Sequence, residues 1–89
     1  MSTVELGEDL GIETSTELKN RLAPLVAQVG ELTLDASQVG RVHTAAVQVL
    51  CAFVQARREA GLDTGFHGCT ATFRDAARLL GVTQALGLD

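Results

Sequence analysis

A hydroxyl residue at the head of a long apolar segment is the feature best suited to chemistry: Thr44 in Val39-Gly40-Arg41-Val42-His43-Thr44-Ala45-Ala46-Val47. A helix that opens on such a residue leaves its first backbone N–H groups free, so an oxygen there can cap the helix and a phosphate there is electrostatically welcome. Two roles follow for Thr44, an N-cap worth about 1 kcal/mol or a phosphoacceptor. His43 reads as a solvated loop histidine, because no nucleophile, base and orienting group stand together around it. Cys51 beside a histidine is the one nucleophilic pair imaginable, and a cysteine in mid-helix more often packs. His67-Gly68-Cys69 and His43 offer zinc-type ligands, but no CxxC or HxxxH pair seeds a site. No catalytic residue, no metal and no cofactor is expected.

The elements that must position Thr44 come from a chain of 89 residues, 46% hydrophobic, with a single proline. That is enough for one small core and too little for two, so residues 1–89 are expected to be one domain. Three Phe and no Trp or Tyr leave the core to Leu, Val and Ala, with no stacking platform for bases. The net charge is −4 and the seven basic residues are scattered, which argues against nucleic acid and for a protein partner. MSTVELGEDLG has neither a basic n-region nor an apolar h-region, and no apolar run approaches a bilayer span. A cytoplasmic location without membrane insertion is expected, with both cysteines as reduced thiols.

Along the chain, Thr3–Leu6 and Leu10–Ile12 read as two short strands joined by a tight turn at Gly-Glu-Asp. Thr14 with Glu17 forms a capping-box pattern that opens a first helix. Leu18, Leu22, Leu25, Val26 and Val29 make its buried stripe; Pro24 should kink it, and Gly30 ends it. Glu31–Asp35 alternates as a third strand, after which Asp35 and Ser37 tie a turn. Thr44–Ala60 is the longest helix, stopped by Gly61, with Arg57 and Arg58 favouring its C-terminal dipole. Leu62–His67 is a weak fourth strand suited to a sheet edge, and Thr70 caps a last helix through Leu80, followed by a final turn over Val82–Leu86. The resulting β-β-α-β-α-β-α order predicts an α/β fold: a four-stranded mixed sheet interleaved with three to four helices, burying Leu22, Leu25, Val26, Leu34, Leu50 and Phe53.

Three stretches match one family in register. Leu10-Gly11-Ile12-Glu13-Thr14-Ser15-Thr16-Glu17-Leu18 resembles the L-D-x-x-T-A-x-E-L entry to the first helix of STAS domains. Leu34 to Val47 resembles their L-D-L-S-x-V-x-x-I-D-S-S-G-L, and Thr70 to Val82 their S-P-A-V-x-x-x-x-x-x-x-G-L end. In the anti-sigma factor antagonists of this family a partner kinase phosphorylates the first Ser of D-S-S-G, a position held here by Thr44. The resemblance thus implies a non-enzymatic regulatory module with a phosphorylation switch at Thr44 and a partner-binding surface of Arg41, His43, Thr44 and Ala45. The implied partner is an anti-sigma, serine-kinase-like protein; related STAS domains instead serve chemotaxis or ABC-type lipid-transport complexes without phosphorylation. The family's Asp before the acceptor is His43 here, its second Ser is Ala45 and its Gly is Ala46. A histidine there can pair with a phosphate or with a partner carboxylate.

Overall fold

Leu32-Thr33-Leu34-Asp35 alternates apolar and polar side chains, and in the computed structural model, which describes residues 2–88, it forms the middle strand of a three-stranded sheet. The strands are β1 (Ser2–Glu5), β2 (Asp9–Leu10), β3 (Leu32–Asp35), β4 (Arg41–Val42) and β5 (Thr64–His67). The helices are α1 (Ser15–Leu22), α2 (Thr44–Glu59) and α3 (Ala71–Leu79), and a 3₁₀ turn over Ala23–Leu25 follows α1. β1 and β5 flank β3, both parallel to it, with Val4, Leu34 and Phe66 in one cross-strand row and Glu5, Asp35 and His67 in the next. β2 and β4 form a separate two-stranded parallel ladder. The small α/β architecture agrees with expectation, and β5 is an edge strand as expected.

Three expectations about strands are corrected. β1 and β2 are not a hairpin: Gly7, at φ 82°, turns the chain away, so β1 pairs with β3 and β2 with β4. The sheet is not mixed, since every pairing among the described residues is parallel. Among the described residues five strands form instead of four, because Arg41–Val42 adds a two-residue strand. Parallel pairing requires each connection to cross over the sheet, and right-handed crossovers from β1 to β3 and from β3 to β5 place α1 and α2 on the same face and run them in the same direction.

The first helix is shorter than its apolar stripe suggests. Proline lacks an N–H and crowds the carbonyl four residues back, and here α1 stops at Leu22, with Pro24 in the 3₁₀ turn. The chain breaks where a kink was expected, and Val29, assigned to the buried stripe, is 87% exposed. Thr14 stands at the N-cap position, but its backbone is helical (φ −93°, ψ −5°) and its hydroxyl donates to the carbonyls of Asp9 and Gly11 at 3.1 and 3.0 Å. The expected capping box is absent, because an N-cap needs an extended backbone and a free hydroxyl oxygen. The later elements follow the reading closely: α2 ends at Gly61, whose φ of 76° lets the Leu62 N–H reach back to the Arg57 carbonyl at 2.8 Å. Thr70 caps α3 by accepting from the Phe73 N–H at 3.2 Å.

Leu22, Leu34, Leu50 and Phe53 are buried as expected, while Leu25 and Val26 are only half-buried. Arg57 is the exception to an apolar interior. Expected in the last turn as a cation favourable to the dipole, it is fully buried, and its guanidinium donates to the carbonyls of Leu25, Gln28, Gly30 and Asp63 and to Thr64 Oγ1, at 2.7–3.0 Å. One side chain thereby joins the end of α2 to the segment after α1 and to the entry of β5. Phe53, one turn earlier on α2, lies 5.9 Å beneath the guanidinium.

Gly68 shows how closely the loops at the sheet's end approach one another. It follows β5 at φ 65°, and a Cβ there would lie 2.8 Å from the Ser37 Cβ. Gly68→Ala combines a left-handed backbone with this overlap and is expected to cost about 2 kcal/mol, measured as a lower midpoint in urea with an unchanged slope.

Candidate functional site

β4 is held from both ends. The N–H groups of Gly40 and Arg41 donate to the Glu8 carbonyl at 2.8 and 3.2 Å, and the His43 N–H donates to the Leu10 carbonyl at 2.8 Å. On the other side Thr70, the cap of α3, donates its hydroxyl to the Val39 carbonyl at 2.7 Å. The turn before β4 is closed by Asp35, whose carboxylate accepts from the Ser37 N–H at 2.9 Å. Hydrogen bonds from Ser37, and to a lesser degree the charge of His67, hold the Asp35 carboxyl below its usual range. A depressed carboxylate pKa stabilises the fold above the ordinary carboxylate range and ceases to do so as pH falls through the lowered value. Asp35→Asn is therefore expected to flatten the low-pH limb of a stability-versus-pH curve.

This scaffold sets Arg41, His43, Thr44 and Ala45 side by side at the start of α2. The first three are exposed and Ala45 is half-buried. The cap is His43 and not Thr44: His43 is extended (φ −108°, ψ 150°), and its Nδ1 accepts from the Ala45 N–H at 3.0 Å. Thr44 is the first helical residue, and its hydroxyl makes no hydrogen bond among the described residues. Both the capping role expected of Thr44 and the unattached loop position expected of His43 are corrected by this one-residue shift. Since the cap needs an unprotonated Nδ1, the proton of neutral His43 sits on Nε2. His43→Ala removes the cap and is expected to cost about 1 kcal/mol, read as a small drop in thermal midpoint.

Arg41 pairs with Asp9 across the β2–β4 ladder at 3.9 Å, with 74% and 53% of the two side chains exposed. Exposed pairs at this distance add little stability, so Arg41 stays available to other groups. Gly11 allows the pair to form, because a Cβ there would press on Asp9 Oδ1 at 2.9 Å. Ile12, read from the sequence as part of a strand, lies just beyond β2 and is 57% exposed. Its place on this surface had no sequence signal, since its apolar side chain continues the alternation of Leu10.

The remaining sequence candidates lie apart from any common centre. Among the described residues no group of three His, Cys, Asp or Glu side chains is arranged to hold a metal ion. Cys51 and Cys69 are free and half-buried, and burial pushes both thiols up, in Cys69 against the opposing charge of Arg74. Less thiolate at neutral pH makes each a poorer nucleophile. No described helix is long and apolar enough to cross a membrane.

The family model described as the Mlab STAS domain matches residues 1–88. The chain belongs to the STAS domain family. No curated protein matches it. STAS domains are in general regulatory protein-interaction modules and are typically non-catalytic, and membership supports a general regulatory, protein-interaction role for this chain.

Proposed function

We propose that this STAS domain works as a non-enzymatic regulatory module that docks a cytoplasmic protein partner on Arg41, His43, Thr44 and Ala45. The partner resembles an anti-sigma factor of the serine-kinase type, and phosphorylation of Thr44 controls the affinity. The observation that carries this reading is the exposed Thr44 hydroxyl at the first position of α2, without a hydrogen bond among the described residues and flanked by the exposed Arg41 cation and the exposed His43 imidazole. A partner surface can reach it without any rearrangement of the fold.

A second reading is favoured by one feature of the cap. His43 already occupies the Ala45 N–H, one of the donors that a phosphate on Thr44 would use. Docking as an accessory subunit of a chemotaxis or ABC-type transport complex, without phosphorylation, fits that arrangement. The docking surface is common to both readings. It is tested by isolating the complex from the native host and comparing Arg41→Glu with wild type. Reversal of this exposed charge is expected to slow association and weaken binding about tenfold, while leaving the thermal midpoint unchanged. A complex insensitive to Arg41→Glu, Thr44→Glu and His43→Ala alike would place the interface elsewhere.

A further inference from the structure

A second surface feature lies along α1 and α2, where small side chains leave a groove. Its volume is about 400 Å³, within the range of small-ligand sites, roughly 300–1,000 Å³. Ala23 on one wall and Ala52 and Ala56 on the other open it, and Leu22, Val26, Val49 and Phe53 supply an apolar lining. Only two polar side chains line it, Lys19 and Gln48. Because α1 and α2 run in the same direction, Lys19, which precedes Leu22, Ala23 and Val26 along one wall, and Gln48, which precedes Val49, Ala52, Phe53 and Ala56 along the other, fall toward the same end. No carboxylate lines the groove, and Lys19 forms no ion pair among the described residues. From Ala45 to Ala56 the helix rises about 16 Å.

We propose that this groove binds a free fatty acid, with its carboxylate at Lys19 and its hydrocarbon chain along Val26, Val49, Ala52 and Phe53. Charge complementarity selects the anion. A compact ammonium at one end matches a carboxylate, and the apolar remainder gains by covering its surface with methylene groups. A polar ligand would leave its own groups unpaired along the apolar length, and a cationic amphiphile would place its charge against Lys19. The groove adjoins the docking surface through Ala45, which belongs to both, while Arg41, His43 and Thr44 do not line it.

The test uses the intact chain with dodecanoate and dodecylammonium below their micelle concentrations and dodecanol below its solubility limit, followed by amide NMR shifts. Dodecanoate is expected to give saturable shifts at Ala23, Val49, Ala52 and Ala56, and to bind at least tenfold more tightly than dodecylammonium. Lys19→Glu, at an exposed position, should weaken dodecanoate about tenfold and leave dodecanol unchanged. Ala52→Trp should block both ligands; a variant that fails to fold is replaced by Ala52→Leu, for which at least a threefold loss is expected. Absent or unsaturable shifts, equal affinity for dodecanoate and dodecylammonium, or indifference to Lys19→Glu overturns the proposal. Groove shifts that grow with protein concentration alone assign it to a second copy of the chain and overturn it equally. A groove that ignores dodecanoate but is covered in the partner complex assigns it to the protein interface, a result that refutes the fatty acid while sustaining partner docking.

Discussion

Arg57→Ala is expected to lower unfolding stability by about 4–5 kcal/mol, a large share of the roughly 5–15 kcal/mol typical of a folded domain. The substitution deletes donors to four backbone carbonyls and one hydroxyl; the Leu25 and Asp63 carbonyls keep one further donor each, the N–H groups of Gln28 and Leu32, and the fully buried side chain leaves a gap behind. Each buried polar group left unpaired costs on the order of 1–3 kcal/mol, although relaxation and entering water recover part of the sum. Among the described residues no carboxylate accepts from this guanidinium, so its charge is balanced by carbonyl dipoles converging from two segments, residues 25–30 and Asp63. Arg57→Lys keeps the charge but offers three donors on one nitrogen in place of the planar fork, and an intermediate loss is expected. Urea unfolding of wild type and both variants checks the order. If Arg57→Ala unfolded at the wild-type midpoint, the guanidinium would not be the clamp its contacts describe.

The position of Arg57 was legible in part. Leu50, Val54 and Arg57 fall at i, i+4 and i+7, so the arginine continues the buried stripe of α2. Its place in the last turn equally suits a cation facing solvent near the dipole, and local sequence cannot choose between the two. The carbonyls that receive it come from residues 25 to 30 and from Asp63, and only the tertiary fold gathers them. α2 itself was plain because sixteen residues carry several periods of the stripe and Gly61 marks the end. β4 was not, since two residues are too short for an alternation to show. The stripe from Leu18 to Val29 is helical in spacing, yet the helix interior excludes proline, and the backbone constraint at Pro24 outweighed side-chain pattern. At the candidate site the loop and the helix start were readable, whereas the cap was misassigned by one residue. Threonine ranks high at N-caps, but what decides is which residue is extended, and that is His43.

Thr44→Glu is expected to weaken partner binding about 100-fold, near 2.7 kcal/mol, while leaving the isolated chain as stable as wild type. The asymmetry comes from the helix. A carboxylate in the first turn of α2 meets the positive end of the dipole, so the fold accepts it. At an interface built around a neutral hydroxyl, the same charge must be desolvated, and facing a carboxylate or an apolar surface it has no partner. A phosphate would bring about −1.5 to −2 charges to the same place and have the larger effect. It would also draw on the Ala45 N–H that His43 now holds, so modification and the histidine cap compete for one donor.

Calorimetric titration of the partner with wild type, Thr44→Ala and Thr44→Glu tests the docking claim most directly. If the surface at the start of α2 is the interface and Thr44 its switch, Thr44→Ala binds within a few-fold of wild type and Thr44→Glu about 100-fold more weakly, at equal thermal midpoints. Equal affinities for all three proteins would contradict the claim and leave Thr44 as an ordinary first residue of a helix.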